Sequence, residues 1–111
     1  MEIEKRTENN VEVLQVSGAI DFSSSRLLED LVKSTIAGGR TYMVLDLTEA
    51  SDVDSLGVAS IIKSHSALRK SGGDLKLAAV PADIVFILRQ AGAGALIAMF
   101  PTVDAAIRDF Q

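Results

Sequence analysis

The chain has 111 residues, 48% of them hydrophobic, with 15 acidic and 11 basic side chains, one histidine and no cysteine. That length supports one hydrophobic core, and so a single domain over residues 1–111. A net charge of −4 leaves no basic stripe for nucleic acid, and the absent thiols and lone histidine exclude a disulfide framework and a thiolate or histidine metal centre, so no cofactor is expected.

No apolar run approaches the roughly 20 residues of a bilayer span, and Met1-Glu2-Ile3-Glu4 is not a signal-peptide start, so the expectation is a soluble cytoplasmic protein without a membrane partner. "EIEKRTENN" reads as a charged edge strand ending in a turn at Asn9-Asn10, and "VEVLQVSG" (Val11 to Gly18) as its hairpin partner. Ser23, Ser24 and Ser25 then supply helix caps. Leu27, Leu28, Leu31, Val32, Thr35 and Ile36 recur at helical spacing until Gly38-Gly39. "TYMVLDL" (Thr41 to Leu47) has the continuous apolar run of a strand covered on both faces. From Ser55, the residues Val58, Ile61, Ile62, His65 and Leu68 make the inner face of a second helix closed by Gly72-Gly73. "DLKLAAV" is a strand, Pro81 starts a helix through Leu88, "LIAMF" is a short strand, and Pro101-Thr102 opens a last helix carrying Val103, Ala106, Ile107 and Phe110. Strands alternating with helices predict an α/β domain: a mixed, mostly parallel sheet packed with about four helices.

"SGGD" and "AGAGA" do not make a phosphate loop: neither has the Gly-Lys-Ser/Thr of a P-loop, and "AGAGA" follows a helix rather than a strand. His65, on the apolar face of the second helix, reads as a core or rim residue. It lies ten residues from Ser55, roughly 15 Å along a helix, too far to act as its base. Asp21, Asp46, Asp52 and Asp54 lie near strand ends, where carboxylates could hold Mg²⁺. Unlike a phospho-accepting receiver domain, however, the chain has no adjacent acidic pair at "GAIDF" and no lysine at "AMFPT". An enzyme using these aspartates with a metal is the rival from another class, and micromolar Mg²⁺ or Mn²⁺ binding would favour it.

Ser55, in "SDVDSLGVAS", has two readings. Its hydroxyl is placed to cap the second helix, a role worth about 1 kcal/mol. The same position exposes the hydroxyl to a kinase and sets a phosphate against the helix's free amides and positive dipole end.

The order "GAID", "VLDLTEASDVDSLGVASI", "LRKSGGDLKLAAV" and "AMFPTVDAAI" resembles the STAS domain of bacterial anti-sigma factor antagonists, from about Glu2 to Phe110. Its most specific part is Asp54-Ser55-Leu56-Gly57 after an apolar strand. The resemblance implies a non-enzymatic partner switch. It binds an anti-sigma factor serine kinase, frees a sigma factor, is inactivated by phosphorylation at Ser55 and is reset by a phosphatase. It also implies a partner-binding surface of Asp21, Asp54, Ser55, Leu56 and Gly57. Leu56 departs from the serine, threonine or alanine common at that position, and is expected to pack inward under the second helix. The runner-up is a STAS subunit of a lipid-transport ABC complex.

Overall fold

The structure, a computed structural model, describes residues 1–111. Strands β1 (Glu2–Glu8) and β2 (Val11–Ile20) form the expected antiparallel hairpin, with Glu8 opposite Val11 and Glu2 opposite Ser17. Asn9 and Asn10 turn it with φ of 51° and 66°. Two successive left-handed residues match the strand twist, and asparagine is among the few residues that tolerate the conformation.

The chain continues through α1 (Ser25–Ala37), β3 (Tyr42–Val53), α2 (Ser55–Lys70), β4 (Asp74–Ala78), α3 (Ala82–Gln90), a 3-10 turn at Ala93–Ala95, β5 (Met99–Phe100) and α4 (Val103–Asp109). The sheet order is β1-β2-β3-β4-β5, with every pair after the first parallel. This is the predicted α/β architecture with four helices.

Two apolar layers hold it. On one face α1, α2 and α3 bury Leu28, Val32, Ile61, Leu68, Ile84 and Leu88 against Leu14, Val16, Met43, Leu45, Leu75 and Leu77. On the other, α4 lays Ala106 and Ile107 over Val11, Val13, Val44 and Ala78. Lys76 lies on this second face and is only 5% exposed. Its ammonium pairs with Asp109 and sits 3.9 Å from the centre of the Phe110 ring, so the apolar stem is covered while the charge keeps a partner.

Several details depart from the sequence expectation. The third strand does not stop at Leu47 but runs to Val53, with register shifts against β2 between Gln15 and Ser17 and between Gly18 and Ala19. Each shift inserts an extra β3 residue, which breaks the alternation by which strands are read. Leu27 points outward from α1, 45% exposed, while Leu28, Val32 and Thr35 form its buried face. Within "LIAMF" only Met99 and Phe100 pair, because Leu96 and Ile97 close the preceding 3-10 turn. The glycine stop of α2 is as expected: Gly72 takes φ +88°, and the amides of Gly72 and Gly73 return to the carbonyls of Arg69 and Leu68.

Candidate partner-binding site around Ser55

Parallel pairing builds the site. Ile20 at the end of β2 lies opposite Val53 at the end of β3, so the residues that follow, Asp21 and Asp54, leave the sheet side by side. The Asp54 amide donates to the Ile20 carbonyl at 3.3 Å, and the Phe22 amide donates to Asp54 Oδ2 at 3.1 Å, tying the two loops together.

Asp54 Oδ1 accepts from the Gly57 amide at 2.8 Å. Asp54, with the extended backbone of a helix cap, is therefore the N-cap of α2, and Ser55 is not. The capping role expected for Ser55 moves back by one residue. Ser55 stands in the first turn, exposed, where helix geometry leaves the amides of Ser55 and Leu56 without intrahelical acceptors. Gly57 is buried for a steric reason: a Cβ there would lie 1.9 Å from the Ile20 carbonyl oxygen and 2.8 Å from Val53 Cγ2. Only glycine lets α2 begin this close to β2.

Asp21 is fixed just as closely. The Ser23 hydroxyl donates to its Oδ1 at 2.8 Å, the amides of Ser23 and Ser24 donate at 3.1 and 3.2 Å, and the Ser24 hydroxyl lies 3.1 Å away. These bonds, the Ser23 hydroxyl's above all, hold the Asp21 carboxyl below the usual carboxylate range, although partial removal from water opposes them. At neutral pH this loop carries a fixed negative charge.

The structure corrects the expectation for Leu56. It is 48% exposed and lines a groove between α1 and α2 together with Phe22, which is 75% exposed. The reason lies in α2 itself: Gly57, Ser60 and Ser64 are buried, and the Ser60 hydroxyl donates to the Ser25 carbonyl of α1. With small residues at these buried positions the helices pack closely, and Leu56 is left at the rim. On the other side of Ser55, a second groove between α2 and α3 is lined by Asp54, Ser55, Val58, Phe86 and Ile87, with Phe86 63% exposed. Sequence reasoning passed over Phe22 and Phe86. Phe22 carried one usable signal, an aromatic in a polar loop beside Asp21 and three serines.

His65 lies apart from this site, its Nε2 3.2 Å from the Asp74 carboxylate. It is the rim residue the helix pattern predicts. Asp21 and Asp54 come together through the loop contacts, whereas no group of three His, Cys, Asp or Glu side chains is arranged to hold a metal. No helix is long and apolar enough to cross a membrane.

The fold has known counterparts. An anti-sigma factor antagonist from Mycobacterium paratuberculosis superposes with a TM-score of 0.86 at 22% identity, covering 97% of this chain and 92% of that one. The phosphorylated form of the Bacillus cell fate determinant SpoIIAA gives 0.77 at 18% identity, covering 99% and 100%. Murine Slc26a9, an anion transporter, gives 0.78 at 20% identity, covering 92% of this chain but 18% of that one, so the fold alone does not select a function. No curated protein matches by sequence. The family model for the STAS domain matches residues 2–106, and the chain belongs to the STAS domain family.

Proposed function

We propose that the protein is an anti-sigma factor antagonist. It binds an anti-sigma factor that is also a serine kinase, thereby frees a sigma factor, and is switched off when that kinase phosphorylates Ser55 and on again when a phosphatase removes the phosphate. The kinase brings its own ATP and Mg²⁺, and this domain catalyses nothing. One observation carries the reading. Ser55 is exposed in the first turn of α2 with its capping duty taken by Asp54, and it is flanked by the outward-facing Phe22, Leu56 and Phe86. Exposed apolar groups gathered beside fixed charge are what a protein-binding surface presents. Asp21, Asp54, Ser55 and Leu56 form the contact surface, and Gly57 sets the position of the helix that displays them. The Bacillus relative described in its phosphorylated form supports the same reading.

A phosphate on Ser55 adds about 1.5 to 2 negative charges at a helix N-terminus, where the free amides and dipole accommodate them, so the fold persists. It also stands beside Asp54, where bulk and like charge oppose docking. The test is capture of the partner from native cell extract, followed by melts and binding titrations of two variants. Ser55→Asp keeps the parent's melting temperature to within a few degrees and binds the recovered kinase at least about tenfold more weakly. Ser55→Ala binds normally and is not labelled. Parent-like binding by Ser55→Asp, full labelling of Ser55→Ala, or recovery of a transport ATPase in place of a kinase overturns the proposal.

A further inference from the structure

We propose that the cleft between the β1–β2 hairpin and the C-terminal end of α1 binds a small amino dicarboxylate, a ligand with one ammonium and two carboxylates, recognised by Glu12, Lys5 and Arg40. The cleft has a volume of about 140 Å³ and no hydrophobic residue in its lining. That is many times the roughly 10 to 15 Å³ that admits one water. Its buried wall holds a carboxylate that the chain leaves half satisfied. The Glu12 side chain is 6% exposed; its Oε2 accepts from the Thr7 hydroxyl at 3.3 Å and stands 3.6 Å from Arg40 Nε. Its Oε1 receives no hydrogen bond from the chain and opens onto the cleft. A carboxylate so far removed from water is costly unless its oxygens find donors. Thr7 lies opposite Glu12, and Lys5, two residues along β1 on the same face, lines the cleft without an ion-pair partner. A free cation and an under-partnered carboxylate thus face one polar space.

Charge and hydrogen bonding set the ligand. Glu12 Oε1 calls for a donor. The last turn of α1 carries no basic residue, so the negative end of its dipole, open to the cleft at Gly38, favours a cation too. Both demands are met by an ammonium. Lys5 and Arg40 call for anionic groups, and against Glu12 they leave the cleft one positive charge in excess, which one ammonium and two carboxylates balance. A bare phosphate or sulfate would meet Glu12 and supply Oε1 with no donor. A nucleobase or lipid chain would find no apolar wall. This site owes nothing to the reading of Ser55, since Glu12 stands near the start of β2, roughly 26 Å along the strand from Ile20 beside Asp54.

The test titrates the purified full chain with L-glutamate, L-aspartate and succinate, followed by calorimetry and by thermal melts. At least one of the amino dicarboxylates binds saturably at one per chain and raises the melting temperature, and succinate, which lacks the ammonium, binds about tenfold or more weakly. Lys5 is exposed and unpaired, so Lys5→Gln melts like the parent without ligand and loses about tenfold in affinity with it. Glu12→Gln narrows the gap between the amino dicarboxylate and succinate. No saturation by either amino acid below about 10 mM overturns the proposal. So does succinate binding as tightly as the amino acids, or a Lys5→Gln protein that binds them as the parent does.

Discussion

Replacing Gly57 by alanine sets two effects of opposite sign against each other. Gly57 lies within α2, and by helix propensity alone alanine would stabilise it by about 1 kcal/mol. The new Cβ, however, would stand 1.9 Å from the Ile20 carbonyl oxygen, more than 1 Å inside the closest approach that real Cβ atoms make. The obstacle is backbone in the middle of the fold, so the first turn of α2 must retreat. Retreat strains the Asp54 amide bond to Ile20 and the Phe22 amide bond to Asp54, each worth about 1 kcal/mol. Overpacking adds about 1 to 3 kcal/mol. After the propensity gain is subtracted, Gly57→Ala is destabilised by about 2 to 4 kcal/mol. For a domain of this size that lowers the melting temperature by roughly 8 to 20 °C. A melt followed by circular dichroism, with urea unfolding at 25 °C for the free energy, measures it. A variant melting at or above the parent would show that α2 does not begin against β2 as described.

Leu56→Ser costs under about 1 kcal/mol, because the side chain is already 48% exposed, and the melt shifts by no more than a few degrees while kinase binding weakens; a loss above 2 kcal/mol would return Leu56 to the core. Lys76→Met keeps an unbranched apolar stem over Phe110 and leaves Asp109 in water, so its urea midpoint stays near the parent's, whereas Lys76→Ala opens a void beneath α4 and lowers stability by about 2 kcal/mol; equal effects of the two would contradict the packing role of the stem. Its hydrogen bonds from Ser23 and Ser24 hold the folded Asp21 carboxyl below its ordinary value of 3.8, so its contribution is complete above that pH and is lost as pH falls through the folded value. The stability advantage of the parent over Asp21→Asn is accordingly flat from about pH 5 to 8 and shrinks below about pH 4, and an advantage unchanged at pH 3 would refute the hydrogen-bonded ionised form.

The hairpin, the helices and the sheet class were legible because Asn9-Asn10, the glycine pairs and the spacing of Val58, Ile61 and Leu68 each carry a local signal. The end of β3 was not, since inserted residues scramble the alternation across "TEASDV". Choosing between Asp54 and Ser55 as helix cap needed the backbone: both side chains can cap, and the extended φ and ψ of −98° and −178° fall at Asp54. Leu56 misled because large apolar side chains usually point inward, whereas here the small residues of α2 let α1 come too close to leave it room. Lys76 gave no warning in "DLKLAAV", since its cover comes from a helix some thirty residues later. The position of Ser55 at a strand-to-helix junction was read correctly from sequence, while the apolar residues around it became visible only once three helices were placed.

The most direct test of the central claim uses the phosphorylated protein itself. The kinase is allowed to modify the parent to one phosphate per chain, the modified residue is located by tandem mass spectrometry, and the product is titrated against the same kinase beside the unmodified protein. The account predicts a single phosphate on Ser55, an unchanged fold by circular dichroism, and affinity reduced by roughly 30-fold to several-thousand-fold, corresponding to about 2 to 5 kcal/mol. A phosphate on another residue, such as the exposed Ser23, or a Ser55-phosphorylated protein that binds as tightly as the unmodified one, would contradict it.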